Sequence, residues 1–240
     1  MVIDLYEPYF LFFGDLRTAI DPAKIRGKNW QEVEKKEPFN SIKKALQTRF
    51  IAFSHQVHGV KGRVITEEQQ TLPLFLHEGD YLITTQKGIG LAVATADCLP
   101  VVIISKSFPV AAVIHAGWRG LVAGIVTDVI DRFYKEYQVP LTDIKLIVGP
   151  AAQVCCYEVG QDFLELHKDR VDVLNACKKD AGKLFFDAQL FLLNVCRQKG
   201  LSDKSLDFSF HVCTICEQIY CSYRREKKSP LRQLTVVSLK

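Results

Sequence analysis

The stretch ATADCLPVVIISKSFPVAAVIHAGWRG, residues 94–120, decides how this chain is read. It holds two apolar runs of strand length, rich in β-branched residues, with Cys98 at the start of one and His115 near the end of the other. Runs of that kind predict buried strands. A thiol and an imidazole placed at their ends have three readings: ligands of a transition metal, a nucleophile–base pair, or packed and silent side chains.

Downstream, WRGLVAGIVTDVIDRFYKEYQ (118–138) predicts one amphipathic helix. Leu121, Ile125, Val129, Phe133 and Tyr137 recur every four residues, Val122, Val126, Ile130 and Tyr134 form the adjoining stripe, and Asp128, Asp131, Arg132, Lys135 and Glu136 fall opposite. One broad apolar face of this kind packs on a sheet. DIKLIVGP (143–150) then returns to strand, and FFDAQLFLLNVCRQKG (185–200) predicts a second helix stopped by Gly200. SFHVCTIC (209–216) and LTVVSL (234–239) read as closing strands.

Upstream, YFLFFG (9–14) reads as a short strand and Asn40 as the cap of a helix through SIKKALQTRF (41–50). FIAFSHQVHG (50–59) is an apolar run ending in a loop with His58, and GRVITEE (62–68) with GDYLITT (79–85) suggests a hairpin-like pair. Strands and helices alternate unevenly, which favours an α+β fold of mixed β-sheets with helices on the outside over a doubly wound one. No repeat, low-complexity tract or linker divides the 240 residues, so a single domain over 1–240 is expected.

Composition sets outer bounds. The apolar fraction of 48% with 24% charged residues suits a sizeable core, and the net charge of +4 is spread along the chain. The densest basic cluster, SYRREKKSPLR (222–232), reads as a solvated tail, so no nucleic-acid partner is expected. No run has the length of a membrane span, and YFLFFG follows Asp4 and Glu7 rather than a basic segment, which argues against an export signal. Eight cysteines without such a signal predict reduced thiols in a cytoplasmic protein. A monomer is the default expectation.

His58, Cys98 and His115 each lie where an apolar run gives way to a turn containing glycine or proline. Two imidazoles and a thiolate suit zinc, and three protein ligands leave a fourth tetrahedral position open. Separations of 40 and 17 residues do not single out such a site, and on the residues alone packed side chains stand ahead of it.

SHQVHG, GDYLITTQKGIGLAVATADCLPVVI, AAVIHAGWRGLVAGIV, IVGPAAQVCCYEVG and CTICEQIYCSYRRE occur in that order over about residues 50–226. The series resembles the YfiH family, also called the laccase-domain or polyphenol oxidase family, whose fold is likened to that of cysteine hydrolases. The resemblance implies one zinc ion on His58, Cys98 and His115, with copper at the same three ligands as an alternative, and places His55 outside the set. It moves the metal site ahead of packed side chains. It also implies phosphorolysis of adenosine, inosine and methylthioadenosine to base and ribose 1-phosphate, and deamination of adenosine. Residues 1–49 depart from the family pattern: FFGDLRTAIDPAK stands where a glycine-rich segment is usual, leaving Arg17 a weakly aligned survivor.

Within that implied chemistry, Asp97 beside Cys98 either shuttles a proton or orients a ligand, the second being preferred. Arg119, at the start of the strong helix, and Arg224 and Arg225 are the expected phosphate clamp. Trp118 reads as packing rather than a base-stacking platform, and Glu158 as a loop cap. Six histidines without a His-x-His pair argue against a multicopper cluster. His211, Cys213, Cys216 and Cys221 have spacings that invite a zinc knuckle, but the resemblance assigns no second metal and strand packing is the preferred reading. The competing functions are a cysteine hydrolase or amidase using Cys98 and His115 on cell-wall precursors, and a non-catalytic binding protein retaining the fold.

Overall fold

The computed structural model describes residues 2–227 and 229–240, which leaves Lys228 of the basic cluster outside the described residues. Its centre is a six-stranded mixed sheet in the order Leu206–Asp207, Ile144–Val148, Leu99–Ser105, Ala111–Ala116, Tyr81–Thr84, Gly62–Val64. A five-stranded mixed sheet lies against it, ordered Val2–Tyr6, Tyr9–Phe13, Gln233–Leu239, Ile89–Thr95, Phe50–Ala52. A small antiparallel sheet, Glu158–Val159, Lys183–Phe186 and Cys177–Asp180, stands apart from both.

Alternation along the central strands explains why their sequences are apolar throughout. Leu82, Val102, Ile104, Ala111 and Val113 face a core shared with Leu11, Leu91, Val93 and Val236 of the five-stranded sheet. Ile83, Val101, Ile103, Ala112 and Ile114 point the other way, onto Val129, Ile130 and Phe133 of the helix Ile125–Tyr137 and Phe191 and Leu192 of Ala188–Gln198. A sheet covered on both faces has no solvent side on which to place polar residues. Helices Trp30–Val33 and Phe39–Ala45 add Trp30, Phe39 and Ile42 to the first core. The α+β arrangement of mixed sheets with outer helices is thus the one expected.

Several local expectations need correction. The 118–138 helix is two helices, Trp118–Val122 and Ile125–Tyr137, separated at Gly124, whose φ of 94° no ordinary helix accommodates. Gly62–Val64 and Tyr81–Thr84 pair in parallel rather than as a hairpin, because a 3₁₀ turn, Glu67–Thr71, lies in the connection that carries the chain back. Asn40 lies inside its helix, which starts at Phe39 after Pro38. Residues 209–216 form no named strand; only Cys213 bridges, to Ala151. Gly200 does follow the second helix, at a φ of 92°.

Candidate metal centre and substrate pocket

The turn at residues 96–98 carries the chain from Ile89–Thr95 in the outer sheet to Leu99–Ser105 in the central one. Asp97 makes that corner with a φ of 79°, which leaves Cys98 at the mouth of the central sheet. His115 sits on Ala111–Ala116, paired with Pro100 of the neighbouring strand. His58 comes from the loop after Phe50–Ala52 and adopts a φ of 61°. Gln56 fixes this loop by bonding both the N–H and the carbonyl of Ala94, at 2.8 and 2.9 Å.

Three residues far apart in sequence thereby converge. One donor atom from each of His58, Cys98 and His115 lies within 4.8 Å of the others. The Cys98 sulfur stands 3.7 Å from His58 Nε2, and the two imidazole rings are 4.7 Å apart at 78°. Zinc–sulfur and zinc–nitrogen bonds at a tetrahedral angle put such atoms about 3.6 Å apart, so the donor set fits one ion. His55 is outside the group.

Asp80 is the residue that the sequence reading missed. Its fully buried carboxylate accepts the N–H groups of Val57, His58 and Gly59 and meets His115 Nδ1 at 2.8 Å. Nδ1 is thereby committed to Asp80, which leaves His115 Nε2 as the metal-facing nitrogen. Burial pushes the Asp80 carboxyl up, but the His115 ring and the N–H groups of Gly59 and His58 outweigh it and hold it below the usual range. Burial likewise pushes the Cys98 thiol up, yet the charge and hydrogen bond of His115, with His58, bring it below its ordinary value. The His115 ring, driven down by burial, is raised by Cys98 and Asp80. The pair is thus biased toward thiolate and imidazolium, ready to exchange its proton for a cation.

The HAGWRG glycines are explained by approach. A Cβ on Gly117 would stand 2.6 Å from His58 Cδ2 and 3.3 Å from the Cys98 sulfur, and one on Gly120 would meet the Gly59 carbonyl at 2.5 Å. Gly117 has an ordinary φ of −61°, so alanine there is limited by space alone. Gly117→Ala is expected to leave the fold intact and to weaken metal binding by roughly 10–100-fold, as loss of ligand orientation does. Competition with a chromogenic chelator measures this, and unchanged affinity would show that His58 yields freely.

The trio lines a cavity of about 660 Å³, together with Trp118, Arg119, Tyr157 and Arg224. Arg119 lies with its guanidinium 4.4 Å from the Trp118 ring centre. Its helix is only five residues long, so the expected long-helix dipole does not stand behind it. Trp118 packs against Phe163 and His167, as expected, and also lines the cavity. Arg224 bonds the Glu158 carbonyl at 2.9 Å while lining the same space. Arg225 corrects the expected clamp: it braces a loop, donating to the carbonyls of Thr214, Ile215 and Tyr220, and does not line the cavity. Arg26 and Arg232 line it instead, so the divergent N-terminal segment contributes a cation, whereas Arg17 pairs with Asp15 outside.

The Asp97 carboxylate accepts from Thr214 and Ser222 hydroxyls and from the Arg224 N–H at 2.7, 3.2 and 2.7 Å. Those bonds tie Asp97 to the loop carrying Arg224, while the residue also lines the cavity beside the trio. Glu158 pairs with Lys183 at 2.8 Å, away from the donors. A second group gathers Cys155, Cys156, Cys213 and Cys216, while His211 bonds Gln189 and Cys221 is buried elsewhere; strand packing does not describe it.

Residues 26–240 match the sequence profile of the family described as multi-copper polyphenol oxidoreductase laccase. A purine nucleoside phosphorylase of Aquifex aeolicus is 38% identical over 162 residues, 68% of this chain and 72% of that protein. An adenosine deaminase from an unknown prokaryotic organism is 32% identical over 123 residues, 49% of this chain and 47% of that protein. The crystal structure of the Bacillus licheniformis hypothetical protein YfiH superposes with a TM-score of 0.82 at 20% identity, covering 100% of this chain and 96% of that one, which shows the shared fold. No helix among the described residues is long and apolar enough to cross a membrane.

Proposed function

The chain belongs to the laccase-domain, or YfiH, family, and from that premise we propose that it is a zinc-dependent purine nucleoside phosphorylase. Adenosine, inosine and methylthioadenosine are its substrates, with adenosine deamination as a side activity in the same pocket. The observation that carries the reading is the convergence of His58, Cys98 and His115 on one cavity that also presents aromatic rings and arginines. At about 660 Å³ the space falls within the range of small-molecule sites, about 300–1,000 Å³. The names of the Aquifex phosphorylase and the prokaryotic deaminase support purine nucleosides as the substrate class.

Zinc on the three residues would supply Lewis acidity at the remaining coordination position. Asp80 holds His115 in one tautomer and the 57–59 turn in one shape, so neither ring needs to reorganise. Trp118 and Tyr157, which line the cavity, would supply aromatic surface for a purine. Arg119 and Arg224 hold phosphate, and Asp97 fixes the backbone from which Arg224 reaches. Two bonds then change: a phosphate oxygen joins the anomeric carbon as the glycosidic bond to the base breaks.

Purified protein of known zinc content, incubated with inosine, is expected to release hypoxanthine only when phosphate is present. Release independent of phosphate would sink the phosphorylase assignment. Arg119→Ala is expected to raise the phosphate KM about tenfold or more, one charged hydrogen bond contributing roughly 1.5–3 kcal/mol, without releasing zinc. An unchanged phosphate KM would reassign the clamp to Arg26, Arg224 or Arg232. A second reading draws on the thiolate–imidazolium bias: Cys98, His115 and Asp80 have the order of a cysteine hydrolase triad. Amide turnover indifferent to chelator and abolished by thiol alkylation is the result that would favour it.

A further inference from the structure

The loop after Ile144–Val148 and the loop ahead of Arg224 are joined by their backbones. Ala151 N–H donates to the Val212 carbonyl and Thr214 N–H to the Ala151 carbonyl, each at 3.1 Å, and Gln153 Nε2 donates to the His211 carbonyl at 2.6 Å. That register sets the pair Cys155–Cys156 against the pair Cys213–Cys216. All four sulfurs lie within 4.8 Å of one another; Cys216 is 3.8 Å from Cys155 and 3.2 Å from Cys156. Four thiolates around one zinc, with bonds of about 2.3 Å, stand about 3.8 Å apart along each edge of the tetrahedron.

We propose that Cys155, Cys156, Cys213 and Cys216 form a structural zinc site, separate from the His58–Cys98–His115 group. Apolar packing does not account for the cluster, since Cys155 and Cys216 are exposed and only Cys213 is fully buried. Four soft donors with no open side select zinc over the harder cations, and their closeness suits a single ion rather than an iron–sulfur cluster. A single disulfide would leave two of the four thiols facing each other unused. The site also has a task. Residues 208–222 contain no named strand or helix, yet they lead into Ser222 and Arg224, while Tyr157 directly follows Cys156. An ion clamping the two loops would hold the pocket wall where regular structure does not.

Elemental analysis of the full chain purified under reducing conditions tests the proposal. His58→Ala with His115→Ala is expected to retain one zinc per chain, and adding Cys213→Ser and Cys216→Ser to that protein should remove it. Because the quadruple variant can fail to fold, the wild-type protein supplies a second measurement. Alkylation mapped by peptide mass should spare the four cysteines until a strong chelator is added, and then label all four. Three results would each overturn the site: no retained zinc in the His58→Ala, His115→Ala protein, iron in its place, or alkylation of the four indifferent to chelator. A Cys156–Cys216 disulfide found in the reduced preparation would overturn it as well. These outcomes are read from metal content and thiol labelling rather than from turnover, so failure of this site and failure of the proposed function are distinguishable.

Discussion

Cys98→Ala is expected to abolish both zinc binding at the His58 site and phosphate-dependent release of base. An ion left with two imidazoles loses its only anionic ligand. Metal assistance contributes several kcal/mol to a reaction of this type, so the fall in kcal terms corresponds to at least about a thousandfold in kcat/KM. His58→Ala and His115→Ala should behave alike, because each removes one corner of the same set. Cys98→Asp separates the two readings of the thiol. A carboxylate ligates zinc but is no thiol nucleophile, so this variant should recover part of the metal and of the turnover. Zinc restored without any turnover would mean that sulfur does more than coordinate, and would move the balance to the hydrolase.

The fold and the trio differ in how they were written in the chain. Apolar runs such as LPVVIIS and VAAVIH are long enough that burial on both faces leaves a clear trace, and the position of Cys98 and His115 at their ends is visible by counting. Gly124 marks the helix break in the sequence as well, although the apolar stripe continues past it and masks the glycine. The parallel pairing of Gly62–Val64 with Tyr81–Thr84 was not legible, because connection length alone does not set strand direction. Asp80 stood in plain sight at the head of GDYLITT. Its role depends on three N–H groups presented by a loop 21–23 residues upstream, and no local pattern reports that a carboxylate will be enclosed by them. The four-cysteine cluster has the same character: CxxC marks one half, but the Ala151–Cys213 bridge and the Gln153–His211 bond, which bring the vicinal pair to it, leave no local trace.

Asp80→Asn is therefore expected to be the most damaging substitution outside the trio itself. The amide keeps the shape of the carboxylate but turns one acceptor into a donor, facing either the Gly59 N–H at 2.7 Å or His115 Nδ1 at 2.8 Å. If it turns toward the ring, His115 moves its proton to Nε2, the nitrogen needed for the metal, and zinc affinity should fall by about 10–100-fold. Removing a buried charge from its partners also destabilises the metal-free protein, by roughly 3–5 kcal/mol. The pH dependence follows from the lowered carboxyl pKa. A group held below its unfolded value stabilises fully above about pH 4 and loses that contribution as pH falls through the lowered value. Urea unfolding of chelator-treated wild type and Asp80→Asn should thus show a wide gap at pH 7 that narrows toward pH 3. A gap that stays constant over this range would mean that the Asp80 charge contributes nothing, and that its hydrogen bonds are as well made by an amide.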